Sequence, residues 1–208
     1  MEHSAPDWER ALTHPFVDGL AAGSLRPAQV RCYLEQDRLY LAGYVRVCRA
    51  LAKRAEEIRD SELFEESARL SEEGEAGMQA ALASSLGLDL RDSSPLPATT
   101  EYMRREQEAL EDRSRLVALA GAAPCNLLYA ETGCRLRTVP GTDRPDHPFR
   151  AWLDLYGDDA VQALAERWIE TLNRWAETAT PAEQSRALDM FATAVRCESA
   201  FWEQAWRA

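Results

Sequence analysis

Cys125 lies in the segment Pro124-Cys125-Asn126-Leu127-Leu128-Tyr129-Ala130-Glu131-Thr132-Gly133. Read as helix, the spacing predicts Cys125 and Tyr129 on one face, one turn apart. A thiol beside a phenol on an otherwise apolar face suits nucleophilic chemistry. A lone cysteine is more often a small core hydrophobe, so two other segments decide how to read it. Val30, Leu34, Asp37, Leu41, Tyr44, Cys48 and Leu51 recur at alternating spacings of four and three, the stripe of a core-facing helix. Asp37 interrupts that stripe, and Tyr40 lies within its reach. Near the C-terminus Leu188, Phe191, Val195, Glu198, Trp202 and Ala205 form a second such stripe, interrupted by Glu198.

A carboxylate on an inward face costs several kcal/mol unless it is paired, hydrogen-bonded or turned toward a polar cavity. Each acid therefore either meets a buried arginine or joins a site. If the three faces converge, they enclose a nucleophile, an acid/base and hydrogen-bonding groups, the constellation of an active site. Tyr102, behind Thr99-Thr100, and Tyr156, closing Phe149-Arg150-Ala151-Trp152-Leu153-Asp154-Leu155-Tyr156-Gly157, extend the candidate set. Taken singly, each of these two tyrosines reads first as core or rim.

The elements that must position these residues are helical. The pattern predicts a short helix over 6–13, a long one from Pro27 to about 55, and another over about 60–86. The stretch Gly87 to Pro97 is rich in turn residues. Further helices are expected over about 99–119, 123–137, 148–156 and 159–177. Thr180-Pro181-Ala182-Glu183 is a capping box with proline at the first helical position, opening a last helix that runs nearly to the end. No alternating strand pattern stands out, and Thr138 to Asp146 reads as loop. The expectation is an all-α domain of about seven helices spanning 1–208, with no internal repeat.

Composition narrows the function. At 208 residues the chain is long enough for one well-cored domain. A net charge of −11 argues against nucleic-acid backbones and anionic membranes, which call for clustered Lys and Arg. The five cysteines (Cys32, Cys48, Cys125, Cys134, Cys197) show neither CxxC pairs nor zinc-ligand spacing. With no apolar leader and no long apolar run, the chain reads as cytoplasmic and soluble. Three histidines, His3, His14 and His147, none in an ExxH pattern, argue against a di-iron site. His14 precedes a proline and is expected to pack or cap rather than bind haem.

Several segments together resemble the TenA/thiaminase II family, in its order and over essentially the whole chain. His14-Pro15-Phe16-Val17-Asp18-Gly19-Leu20, Gly23-Ser24-Leu25 and Tyr33-Leu34-Glu35-Gln36-Asp37-Arg38-Leu39-Tyr40-Leu41 resemble its opening. Pro124 to Gly133 resembles its central cysteine helix, and His147-Pro148-Phe149-Arg150-Ala151-Trp152 through Gly157 a later motif. Glu198-Ser199-Ala200-Phe201-Trp202 is similar to its closing E-x-x-F-W. The resemblance implies a haem-oxygenase-like helical bundle, a homotetramer, and no cofactor or metal. It implies hydrolysis of 4-amino-5-aminomethyl-2-methylpyrimidine to the 5-hydroxymethyl compound and ammonia in thiamin salvage, with thiamin itself as a further substrate.

By the same resemblance Cys125 is the nucleophile, Glu198 the acid/base and Asp37 the group on the pyrimidine ring. Tyr40, Tyr102, Tyr129 and Tyr156 are substrate-binding, with Tyr102 stacking on the ring. Thr100 and Asn126 depart from residues that some members carry and bear on the pocket's shape. Two other readings share the fold: a non-catalytic pyrimidine-binding or regulatory protein, and a cysteine hydrolase of another heteroaromatic amine. Against direct DNA binding stands the absence of a basic recognition helix in an acidic chain.

Overall fold

Pro15, Pro27, Pro97 and Pro181 each stand in the first turn of a helix, where a fixed φ fits and a missing N–H costs nothing. The computed structural model describes residues 5–208, so His3 lies outside the described residues. Among these the chain forms α1 (Ala5–Leu12), α2 (Pro15–Ala21), α3 (Pro27–Arg54), α4 (Ile58–Arg69), α5 (Ala76–Ser85), α6 (Pro97–Glu111), α7 (Arg115–Leu136), α8 (Arg150–Tyr156), α9 (Asp159–Thr178) and α10 (Pro181–Trp206). A π-helical segment, Leu70–Glu75, joins α4 to α5. The architecture is an all-α bundle.

Two starts follow one rule. In His14-Pro15-Phe16 and in His147-Pro148-Phe149 the imidazole Nδ1 accepts the backbone N–H of the phenylalanine two residues on. Nε2 of His14 pairs with Glu203, and that of His147 meets the Ala21 carbonyl. Both rings are thereby engaged in building turns. The expected capping box is present: Thr180 Oγ1 accepts from Glu183 N, and the Glu183 carboxylate accepts from Thr180 N.

Helix α7 is the central element. From Leu116 through Cys125 every residue is buried, so the helix is apolar all round, as a helix enclosed by others must be. Its alanines and glycines let neighbours approach closely. A Cβ at Gly133 would lie 2.1 Å from the carbonyl oxygen of Tyr156, so only glycine lets α8 and Tyr156 reach α7. Helices α3, α6, α9 and α10 pack against α7, and α8 covers its C-terminal half. Trp168 and Trp175 are buried in α9, where Phe64 meets both edge-on.

The structure corrects several expectations. The break expected near residue 120 lies instead at Asp112–Ser114, where the Asp112 carboxylate accepts from Ser114 N. Helix α7 runs straight through Pro124, although proline withholds an N–H from the preceding turn. Tight enclosure by its neighbours holds it there. The helix expected over 60–86 is interrupted by the π segment, and α2 was not expected at all. Leu188, placed on the inward stripe of α10, is 51% exposed; the stripe turns inward only from Val195 onward.

Candidate active site

The inward faces of α3, α7 and α10 do converge, joined by α6, α8 and the π segment. Cys125 is 7% exposed, in the same core cluster as Tyr40 of α3. Tyr40 donates to Glu106 of α6 at 2.6 Å, and its ring packs 4.6 Å from that of Tyr102. Tyr102 in turn donates to Glu198 of α10, also at 2.6 Å. On the other side of Cys125 the Tyr129 ring lies 4.9 Å from both Tyr156 and Trp202. Tyr156 donates to Glu75 of the π segment. Asp37 accepts from Gln79 Nε2 at 2.6 Å. All seven residues singled out from the sequence thus belong to one buried cluster.

A narrow cavity of about 20 Å³ opens beside this cluster, lined by Cys125, Asn126, Tyr129, Tyr156, Glu75 and Tyr44 among others. The Asn126 side-chain oxygen is buried with no partner in the protein, free to accept a hydrogen bond from a ligand. Thr100, the other position of departure, is exposed on the first turn of α6 and takes no part.

The electrostatics are unusual. Asp37, Glu75, Glu106 and Glu198 are all buried, and their hydrogen bonds come from neutral side chains. Neither Asp37 nor Glu198 meets the arginine that a merely structural acid would need. Burial pushes Glu198 up to about 8, with the Glu75 charge adding and the Tyr102 hydrogen bond opposing. Burial pushes Glu106 up to about 8 as well, against its bond from Tyr40 and together with the Glu198 charge. Asp37 is raised well above the carboxylate range by burial, then by Glu75. Glu75 is raised by burial against bonds from Ser71 and Tyr156. The Cys125 thiol is likewise driven well up by burial, then by the charges of Glu198 and Glu75.

Glu75, Glu106 and Gln79 were not anticipated. Glu75 falls in Ser71-Glu72-Glu73-Gly74-Glu75, a run that reads as a solvated face. Only its place on the π turn brings it inward, and such turns often mark functional sites. Glu106 carried one usable signal: it stands four residues after Tyr102, on the same helical face.

Chemically, this set of side chains offers a thiol, several hydrogen-bonding groups and acids able to exchange protons near neutrality. Among the described residues no group of three His, Cys, Asp or Glu side chains is arranged to hold a metal ion, and no helix is long and apolar enough to cross a membrane.

Comparison with known proteins matches residues 2–208 to the TENA/THI-4/PQQC family. An aminopyrimidine aminohydrolase of Halalkalibacterium halodurans is 29% identical over 99% of this chain and 92% of its own length. A TenA family transcription regulator from Silicibacter sp. TM1040 superposes with a TM-score of 0.85 at 25% identity, over 100% of this chain and 94% of that one. A domain with a heme oxygenase-like fold from Shewanella denitrificans, 15% identical, shares the fold at a TM-score of 0.73 over 99% of this chain and 90% of its own. Motif order, helical architecture and a family match over nearly every residue agree: the chain belongs to the TENA/THI-4/PQQC family.

Proposed function

We propose that this chain hydrolyses 4-amino-5-aminomethyl-2-methylpyrimidine to 4-amino-5-hydroxymethyl-2-methylpyrimidine and ammonia, in thiamin salvage, and also cleaves thiamin. The observation that carries this reading is Cys125 set among four buried carboxyls with no cation among their hydrogen-bond partners. Such a pocket has a deficit of positive charge that a protonated aminopyrimidine would supply. The similarity to an aminopyrimidine aminohydrolase over nearly the full length of both chains supports the substrate class.

In this mechanism the Cys125 thiolate adds to an electron-poor carbon of the ring. The C–N bond at the 5-methylene carbon then breaks, and the leaving amine takes a proton from Glu198, which is held near 8 and so carries one at neutral pH. Water adds at the methylene carbon and returns its proton to Glu198. The carbon–sulfur bond breaks last and restores the thiolate. Asp37, steadied by Gln79, hydrogen-bonds the ring nitrogens and exocyclic amine and favours the more electrophilic, protonated ring. Tyr102 orients Glu198 through its hydrogen bond and offers its ring to the pyrimidine. Tyr40, Tyr129 and Tyr156 line the reacting centre.

Ammonia release from the aminomethyl pyrimidine, run beside thiamin, tests the reading with wild type and Cys125→Ser. Release by the wild type that the substitution abolishes is expected; folded wild-type protein silent on both compounds would refute it. The same reading has the chain assembled as a homotetramer, which light scattering checks: a mass of four chains is expected, and a single-chain mass contradicts it.

A further inference from the structure

Two residues without a part in the chemistry so far meet beside the nucleophile. Tyr44 lies on the inward stripe of α3, two turns beyond Asp37, and is 2% exposed. Asn126 directly follows Cys125 on α7. The Tyr44 hydroxyl and the Asn126 side-chain oxygen are both buried, and neither has a hydrogen-bond partner in the protein. Buried polar atoms are nearly always paired, so two unpaired ones in one place call for a shared partner.

Both residues line the cavity of about 20 Å³ beside Cys125. A space of that size takes one water molecule, and a water settles where roughly two to four polar groups can bond it. The Cys125 sulfur and the π segment's Ser71 and Glu75 bound the same space. Ser67, also on its wall, is already engaged: it donates to the Leu63 carbonyl and accepts from the Trp168 indole. An apolar occupant would leave both unpaired atoms unanswered. A water can donate to Asn126 Oδ1 and accept from the Tyr44 hydroxyl at once.

We propose that Tyr44 and Asn126 hold one water molecule beside Cys125, and that this is the water the hydrolysis consumes. Its consumption rests on the aminopyrimidine reaction proposed above; its binding does not. Once the amine has left, the ring carries the Cys125 sulfur on one carbon and an electron-poor methylene conjugated with it. A water held against Cys125 is thus held against the adduct. The water oxygen bonds to the methylene carbon, one of its O–H bonds breaks, and that proton passes to Glu198. The π electrons of the exocyclic double bond move into the ring. The carbon–sulfur bond then breaks, its electron pair leaving on sulfur. Tyr44 and Asn126 act through the water, so both are positioning residues.

A crystal structure of the free protein tests the binding. One water peak is expected within about 3.2 Å of both Tyr44 Oη and Asn126 Oδ1. A cavity without density, at a resolution that shows other buried waters, would overturn the proposal. Thermal unfolding of Tyr44→Phe separates the two cases by sign. Loss of a water-bonded hydroxyl should lower the melting temperature by about 2–4 °C. Loss of an idle buried hydroxyl would leave it unchanged or raise it, which contradicts the site.

Turnover of the aminomethyl pyrimidine in methanol–water mixtures tests the use. Methanol competes with the bound water for the methylene carbon, and chromatography separates the methoxymethyl from the hydroxymethyl product. The ratio of ether to alcohol should rise at least about fivefold in Asn126→Leu and in Tyr44→Phe. A merely structural role would slow both products alike, so a ratio equal to wild type would overturn the water's part in the reaction. Should Asn126→Leu fail to fold, Tyr44→Phe, which removes a single oxygen, carries the same outcomes. A water in place in a protein silent on aminopyrimidines would keep the site and reject the substrate.

Discussion

Two regions of this molecule bury acids, and they treat them oppositely. Between α4 and α9, Asp60 is 1% exposed and fully answered: Arg174 donates to it at 2.5 Å, the Trp175 indole at 2.9 Å and the Thr171 hydroxyl at 3.4 Å. Around Cys125, four buried acids accept hydrogen bonds from tyrosine and glutamine side chains and from no cation. The first arrangement stabilises a packed helix pair. The second leaves negative charge expensive, which keeps carboxyls protonated and able to give or take protons near neutrality. An acid with a cation holds the fold; an acid without one is available for chemistry.

The largest effect expected falls on the nucleophile: Cys125→Ser should lower the rate of ammonia release by at least about 10³-fold with the melting temperature nearly unchanged. Glu198→Gln should cost about 10²-fold or more in kcat, because the amide carries no transferable proton. A raised KM with kcat intact would demote Glu198 to a binding group.

On the other side of the comparison, Asp60→Asn should destabilise the fold by about 3 kcal/mol in denaturant titrations by leaving Arg174 without its buried partner. A stability equal to wild type would remove the distinction between the two regions. Gly133→Ala belongs between them: its methyl meets the Tyr156 backbone, so about 2 kcal/mol of stability and part of the activity should go together.

The smallest effect is a slope. Glu106 and Glu198 are raised from 4.5 to about 8, so the folded chain holds their protons more tightly than the unfolded chain does. Their contribution is full below about 4.5 and is lost as pH rises through about 8. The melting temperature should therefore fall by about 5 °C or more between pH 5 and pH 8.5, and Glu106→Gln should flatten that fall. An unchanged slope in the variant would mean that Glu106 is ionised at neutral pH.

What could be read from sequence follows the same physics. Asp37 and Glu198 were legible because each interrupts an apolar stripe, where a charge has to be explained. Glu75 and Glu106 were not, since each lies among acids and arginines that read as a solvated face. The π segment adds a residue to one turn, so a period of 3.6 assigns Glu75 to the wrong side. Pro124 suggested a helix boundary because local propensity says so, whereas burial on every side of α7 overrides it. The stripe of α10 misplaced Leu188 because periodicity assigns a face without saying how far along the helix its neighbours reach.

The most direct test pairs one acid from each region. Asp37→Asn and Asp60→Asn are measured together for ammonia release from the aminomethyl pyrimidine and for thermal unfolding. Asp37→Asn should lose most turnover, about 10²-fold, while melting at or above the wild-type temperature; Asp60→Asn should do the reverse. Equal losses of activity and stability in the two variants would contradict the claim that the acids around Cys125 are kept without cations for chemistry.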